Sequence, residues 1–195
     1  MSTGNMDTLK KVFSEASTSV EMLPADSEAA ERNASRYSLD DSTLLGALIL
    51  GTGGVVVDKW LRLYGSGTYD FAERNNALAE FAFPIIAEDI AGGLFAIGEG
   101  GEIQYFAPDT LQWENLEISL GQFIMVCTDA EALGGFYQDF RWEGWQELVR
   151  DITPAQGLSF YPPLWSRESK DGFSAKLIPI DEVFSMELEY MKTLG

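Results

Sequence analysis

The sequence contains no histidine. That absence removes the commonest general base, the commonest zinc ligand and every Ser-His or Cys-His nucleophile pair. Cysteine is nearly absent as well. Cys127 stands alone, so no intrachain disulfide or CxxC metal site can form, and its place beside Phe123-Ile124-Met125-Val126 marks it as a small buried hydrophobe. Long apolar runs are missing: the longest, Leu44 to Val57, is interrupted by Gly and Thr and falls short of the roughly 20 residues that a spanning helix needs. Residues 1–20 hold Lys10 and Lys11 after a polar start and no apolar core of a secretory signal. These absences predict a soluble, cytoplasmic protein with no catalytic nucleophile, no metal site, no cofactor and no membrane partner. Carboxylate-only chemistry stays open, because an oxygen-ligated Mg²⁺ or Ca²⁺ ion or a pair of acids needs no imidazole.

Positive charge is scarce too. Against 31 Asp and Glu the chain has 13 Lys and Arg, for a formal net charge of −18. From Asn75 to Phe140 there is no basic residue, whereas eleven acids fall in that stretch, among them Glu88, Asp89, Glu99, Glu102, Asp109 and Glu114. Nucleic acid is a poor ligand for such a surface, since phosphates call for cationic partners. A basic protein would be steered toward it, though an acidic surface also serves solubility alone.

What is present suffices for a core. The length of 195 residues, 46% hydrophobic and 12% aromatic, fits one domain over residues 1–195, with residues 1–6 frayed. The organising stretch is Pro84 to Leu116, where period-two alternation predicts three antiparallel strands. Gly98 to Gly101 and Pro108-Asp109-Thr110 supply the turns. Helices are expected around Leu9 to Phe13 with Asp7 or Thr8 as cap, over Ala25 to Arg32 with a weakly packing alanine face, and over Leu44 to Leu50 behind Asp41-Ser42-Thr43. Val55 to Tyr64 reads as one strand, and Tyr69 to Phe83 as a helix. Ser119-Leu120-Gly121-Gln122 is a capping box, Asp129 caps a stripe from Leu133 to Phe140, and Trp142 to Arg150 continues it. Gly157 to Trp165 is extended, Ser166 to Gly172 is a polar turn, Leu177 to Ile180 is an edge strand, and Asp181 caps a closing helix. The fold class is therefore α+β: a central antiparallel β-meander flanked by N-terminal and C-terminal helices. The glycines at 51–54 lack the GxGxxG spacing and the Lys of a P-loop, and so read as turns.

Six stretches resemble the bacterial family of unknown function DUF2625: LGALILGTGGVVVD from Leu45 to Asp58, WLRLYGSG from Trp60, AEDIAGGLFAIG from Ala87, GEIQYFAPDTLQWE from Gly101, FYQDFRWEGW from Phe136 and QGLSFYPPLW from Gln156. The resemblance implies no assigned chemistry. The family pattern often carries His-Gly after the Asp matching Asp58, where this chain has Lys59 before Trp60, so any role of that histidine is lost here. More distantly, the order of elements is similar to the SUKH superfamily, which includes Syd and the yeast cell-wall-assembly regulators. That likeness implies an immunity-type protein that neutralises a partner, by analogy of fold alone.

Two functional readings follow. In the first the chain is a protein-binding module that docks on a basic partner through Glu99, Glu102 and Glu114, or through an aromatic rim of Trp142, Trp145, Tyr161 and Trp165. In the second it binds a small molecule or sugar, or is a carboxylate-only enzyme, around Asp58, Trp60, Asp89 and Asp109. Glu88 and Asp89 point to opposite faces of a strand and would not share one ion without a bulge. Positions also favour plainer roles: Asp109 as a turn former, and Trp113 and Trp145 as core.

Overall fold

The computed structural model describes residues 4–81 and 84–194. Their strands form two antiparallel units. A seven-stranded sheet runs in chain order through β1 (Val20–Met22), β2 (Val55–Val57), β3 (Leu61–Leu63), β4 (Ile85–Asp89), β5 (Leu94–Ile97), β6 (Glu102–Ala107) and β7 (Gln112–Ser119). A separate hairpin pairs β8 (Gln156–Tyr161) with β9 (Ser174–Pro179). The described helices are α1 (Asn5–Ser14), α2 (Ser27–Tyr37), α3 (Leu44–Gly51), α4 (Phe71–Ala77), α5 (Leu120–Thr128), α6 (Ala130–Phe136), α7 (Trp145–Val149) and α8 (Ile180–Leu194), with a 3-10 turn over Arg167–Asp171. The α+β class and the central meander are as expected.

Local chemistry explains most element ends. Thr43 Oγ1 accepts the amide N–H of Gly46 to start α3, Ser119 and Gln122 close a reciprocal capping box on α5, and Asp129 accepts from Ala132 at the start of α6. Four strands rather than three occupy the central stretch, because Ile85–Asp89 pairs with both β3 and β5. Val55 to Tyr64 is not one strand. Asp58 and Lys59 both adopt positive φ, 54° and 55°, and the Trp60 N–H donates to the Val57 carbonyl at 3.0 Å, which folds the run into the β2–β3 hairpin.

Other expectations need correction. Asn5 already belongs to α1, whose cap position is Gly4 with no side-chain bond, while residues 1–3 of the expected frayed start lie outside the described residues. Of the helix expected over Tyr69 to Phe83 only Phe71–Ala77 forms, and positions 82 and 83 lie outside the described residues. The stripe from Leu133 stops at Phe136, and Gly144, at φ 82°, separates it from the short α7. Ile180 is already helical, so Asp181 lies in the first turn of α8 rather than capping it. The α2 helix is anchored by more than alanine: buried Asn33 donates to Ser66 Oγ at 2.9 Å and to Asp70 Oδ2 at 3.2 Å.

The central strands β3 to β5 are buried on both faces. On one, the Phe95 ring lies 4.7 Å from Tyr105, 4.8 Å from Phe123 of α5 and 5.8 Å from Phe136 of α6. On the other, Phe106 meets Phe81 at 5.1 Å, and Phe81 meets Phe184 of α8 at 6.3 Å. The β8–β9 hairpin docks at the end of β4, where the Leu158 N–H donates to the Ile90 carbonyl at 2.6 Å. This junction brings the C-terminal hairpin and α8 against the β4–β5 turn.

Candidate functional site

Glu88 and Asp89 end β4 on opposite faces, and both are buried. Glu88 is matched by cations from outside the base-free stretch. Its Oε2 accepts from Arg74 Nη2 at 2.6 Å, Tyr64 Oη at 2.7 Å and Arg74 Nε at 3.0 Å, and its Oε1 faces Arg62 Nη1 at 3.4 Å. Arg62 also donates to the carbonyls of Thr153, Pro154 and Gln156, fastening the meander to the segment that enters β8. Glu88 is thus a structural tie.

Among the described residues no Lys or Arg forms an ion pair with Asp89. Its Oδ1 accepts the amide N–H groups of Ala91 and Gly93, both at 2.9 Å, and its Oδ2 accepts the hydroxyls of Tyr137 at 3.1 Å and Tyr105 at 3.3 Å. Burial pushes its carboxyl up to about 6, and these four hydrogen bonds oppose that shift. The two phenols are held well above their ordinary value, first by burial and then by the Asp89 charge, so they stay protonated as donors.

A second acid approaches from α8. Ile180, Val183, Phe184 and Glu187 share the buried stripe of that helix, and Glu187 is 1% exposed. Its Oε2 has no hydrogen-bond partner, and among the described residues no Lys or Arg forms an ion pair with it. Burial and then the Asp89 charge raise its carboxyl well above the usual range. Glycine makes the approach possible. A Cβ on Gly92, whose φ is 106°, would overlap Glu187 Oε1, and one on Gly93 would overlap Asp89 Oδ2. The Gly92-Gly93 turn therefore sits between two carboxyl groups.

Glu187 also lines a cleft of about 310 Å³ between β8, the Tyr161 to Trp165 segment and α8. The inner wall holds Glu187, Ala91 and Leu158, all nearly inaccessible to solvent. Aromatic groups form the mouth: the rings of Trp165 and Tyr190 pack tilted at 48° with centroids 4.8 Å apart, and Tyr161 is 78% exposed at the rim. No Lys or Arg lines the cleft. An apolar, aromatic recess with one buried polar group is the usual make-up of a small-molecule site.

Residues 2–183 match the family described as "Protein of unknown function DUF2625". The chain belongs to the DUF2625 family. It is 32% identical over 193 residues to the putative uncharacterized protein YbfG of Escherichia coli strain K12, covering 92% of this chain and 88% of that protein. It is 30% identical over 176 residues to an uncharacterized protein of Haemophilus influenzae strain Rd, covering 80% of this chain and 76% of that one. No solved structure matches, and the expected likeness to SUKH proteins finds no support. The DUF2625 match ends four residues before Glu187.

The residues singled out in the DUF2625 chain separate in space. Tyr161 and Trp165 meet in the cleft. Trp142 does not join them: it packs edge-on against Phe160 and Phe173. Trp145 is buried edge-on against Trp60 at 5.1 Å, so it is core rather than rim, and Trp60 is fully enclosed and offers no stacking surface. Asp58 pairs with Arg141 at 2.8 Å, whose guanidinium lies over the rings of Trp145, Trp60 and Tyr137 at 4.4, 4.9 and 5.0 Å. Asp89 is enclosed, and Asp109 is exposed in its turn. Trp113 is half-buried, packing at 5.7 Å from Phe106, and not the core residue expected. Glu99 and Glu114 are exposed and Glu102 is half-buried; because Glu114 pairs with Tyr105, an odd step from Glu102, those two acids lie on opposite faces of the β6–β7 hairpin. No group of three or more His, Cys, Asp or Glu among the described residues could hold a metal ion, and no described helix is long and apolar enough to cross a membrane. Glu187 escaped the sequence reading, although a signal existed: it interrupts the apolar stripe of α8 one turn after Val183 and Phe184.

Proposed function

We propose that the protein is a small-ligand-binding domain whose site is the cleft between β8, the Tyr161 to Trp165 segment and α8. One observation carries this reading: Glu187, buried and with an oxygen lacking any hydrogen-bond partner among the described residues, is one of the groups that line a recess whose other walls, Ser159 apart, are apolar or aromatic. A buried carboxyl without partners is costly, typically about 1–3 kcal/mol and more when charged, and a ligand that supplies a donor recovers that cost. Screening a fragment library by amide chemical-shift mapping tests it. Hits should gather on Leu158, Ser159, Tyr161, Trp165 and Tyr190 and disappear in Ser159→Trp, which fills the cleft; hits scattered elsewhere, or unchanged in that variant, refute the reading.

A second reading, docking of a basic protein in the manner of an immunity protein, is favoured by one feature. β7 is an edge strand of the large sheet and exposes Glu114 and Glu117 within a stretch that has no Lys or Arg. Association with such a partner would be fast and salt-sensitive, and Glu99→Lys, Glu102→Lys and Glu114→Lys together would slow it with little effect on folding. An on-rate indifferent to salt and to the triple reversal rules this surface out.

A further inference from the structure

We infer that the cleft takes a small organic cation, a primary ammonium or guanidinium group on an apolar or aromatic body, which donates to the free Glu187 oxygen while its body packs against Trp165 and Tyr190. This inference rests on the ligand-site reading above and adds the chemical class of the ligand.

Three observations lead to it. The unsatisfied atom is a carboxyl oxygen, and in its ionised form it only accepts, so a ligand that donates, a cation above all, satisfies it. Among the described residues no Lys or Arg lines the cleft, and the charged group acting on Glu187 is Asp89, of the same sign. Two neighbouring carboxyls and a chain of net charge −18 repel an anion and favour a cation. The aromatic mouth acts in the same direction, because ring faces attract ammonium and guanidinium groups. At about 310 Å³ the recess is near the small end of ligand sites, which suits an amine with one ring rather than a nucleotide or oligosaccharide.

The geometry also dictates a proton linkage. Glu187 faces Asp89 across the β4–β5 turn, the hydroxyls of Tyr105 and Tyr137 that bond Asp89, and Tyr161 and Tyr190 in the cleft. The buried phenols stay neutral, and Asp89 is ionised above about 6. Burial and that charge favour the protonated form of Glu187, so binding of a cation there is coupled to release of a proton. Its affinity therefore rises with pH.

The test uses the full chain with three probes of one shape: phenethylamine, 2-phenylethanol and phenylacetate, titrated by NMR and calorimetry. The amine should bind at least about tenfold more tightly than the alcohol, and its affinity should rise with pH. Phenylacetate should not bind. Glu187→Gln, which keeps the shape of the side chain, should bring the amine down to the affinity of the alcohol and abolish the pH dependence. Should that variant misfold, the amine-to-alcohol ratio and the pH slope of the unmodified protein decide alone. Equal binding of amine and alcohol, or an amine affinity flat in pH, overturns the cation while leaving the ligand site standing. No binding of any probe at about 10 mM, an order above the millimolar range expected of so small a ligand, together with no fragment hit in the cleft, overturns both.

Discussion

Replacing Glu88 by Gln should destabilise the protein by about 3–4 kcal/mol, because removing one partner of a buried ion pair leaves the other charge uncompensated, a loss typically of about 3–5 kcal/mol. The structure places the value toward the low end of that range. Arg62 and Glu88 are each only 1% exposed, so water cannot replace the lost carboxylate at Arg62, although three backbone carbonyls still hold that guanidinium. Arg74 is less confined: it is 16% exposed and keeps Asp181 at 3.0 Å. The Gln amide also turns a donor toward groups that are themselves donors, Arg74 and the Tyr64 hydroxyl. At about 2–4 °C per kcal/mol for a chain of this size, the melting temperature should fall by about 6–16 °C. With a urea slope of about 2 kcal/mol/M, the midpoint should drop by about 1.5–2 M. The double variant Glu88→Leu, Arg62→Met should recover part of the loss, since removing both charges removes the imbalance at Arg62. A single-variant cost under about 1 kcal/mol would refute the reasoning, because it would mean that water reaches this network and the junction of β3, β4 and β8 is open.

Three further outcomes are expected. The Asp89 carboxyl rises from an ordinary 3.8 to about 6 on folding, so its stabilising contribution is complete below about pH 3.8 and is lost as pH climbs through about 6, a swing of about 3 kcal/mol that Asp89→Asn should remove from the pH profile of chemical denaturation. Gly92→Ala combines a left-handed φ of 106° with an overlap on Glu187, and should cost about 2–4 kcal/mol in the same assay; a loss under about 1 kcal/mol would show that the turn and Glu187 are not in contact. Trp113→Ala should cost about 1–3 kcal/mol, below the about 3–5 of an enclosed Trp, since the residue is half-buried on edge strand β7.

Turns and caps were legible in the sequence because their chemistry is local. The loop at Gly98 to Gly101, the turn at Pro108 to Thr110, the Thr43 cap, the Ser119–Gln122 box and the Asp129 cap each depend on residues within about four positions, and each lies where the residues indicate. The β2–β3 hairpin was not legible, since Asp58-Lys59 carries no glycine and reaches positive φ in the company of Ser19, whose carbonyl takes the Asp58 N–H at 2.7 Å. The candidate site was half visible. Tyr161 and Trp165 stood out as aromatics beside prolines, but the group that gives the cleft its chemistry is an acid whose meaning comes from its surroundings. Charge and spacing are properties of the chain; burial and the lack of a partner belong to the packed molecule. Glu88 and Asp89 are neighbours with the same charge, yet Arg62 and Arg74 neutralise the first, with Tyr64 donating to it, while Tyr105, Tyr137 and two amides only cradle the second. Glu187 is one acid among 31, and only the docking of α8 over the Gly92-Gly93 turn removes it from water and leaves its oxygen without a donor.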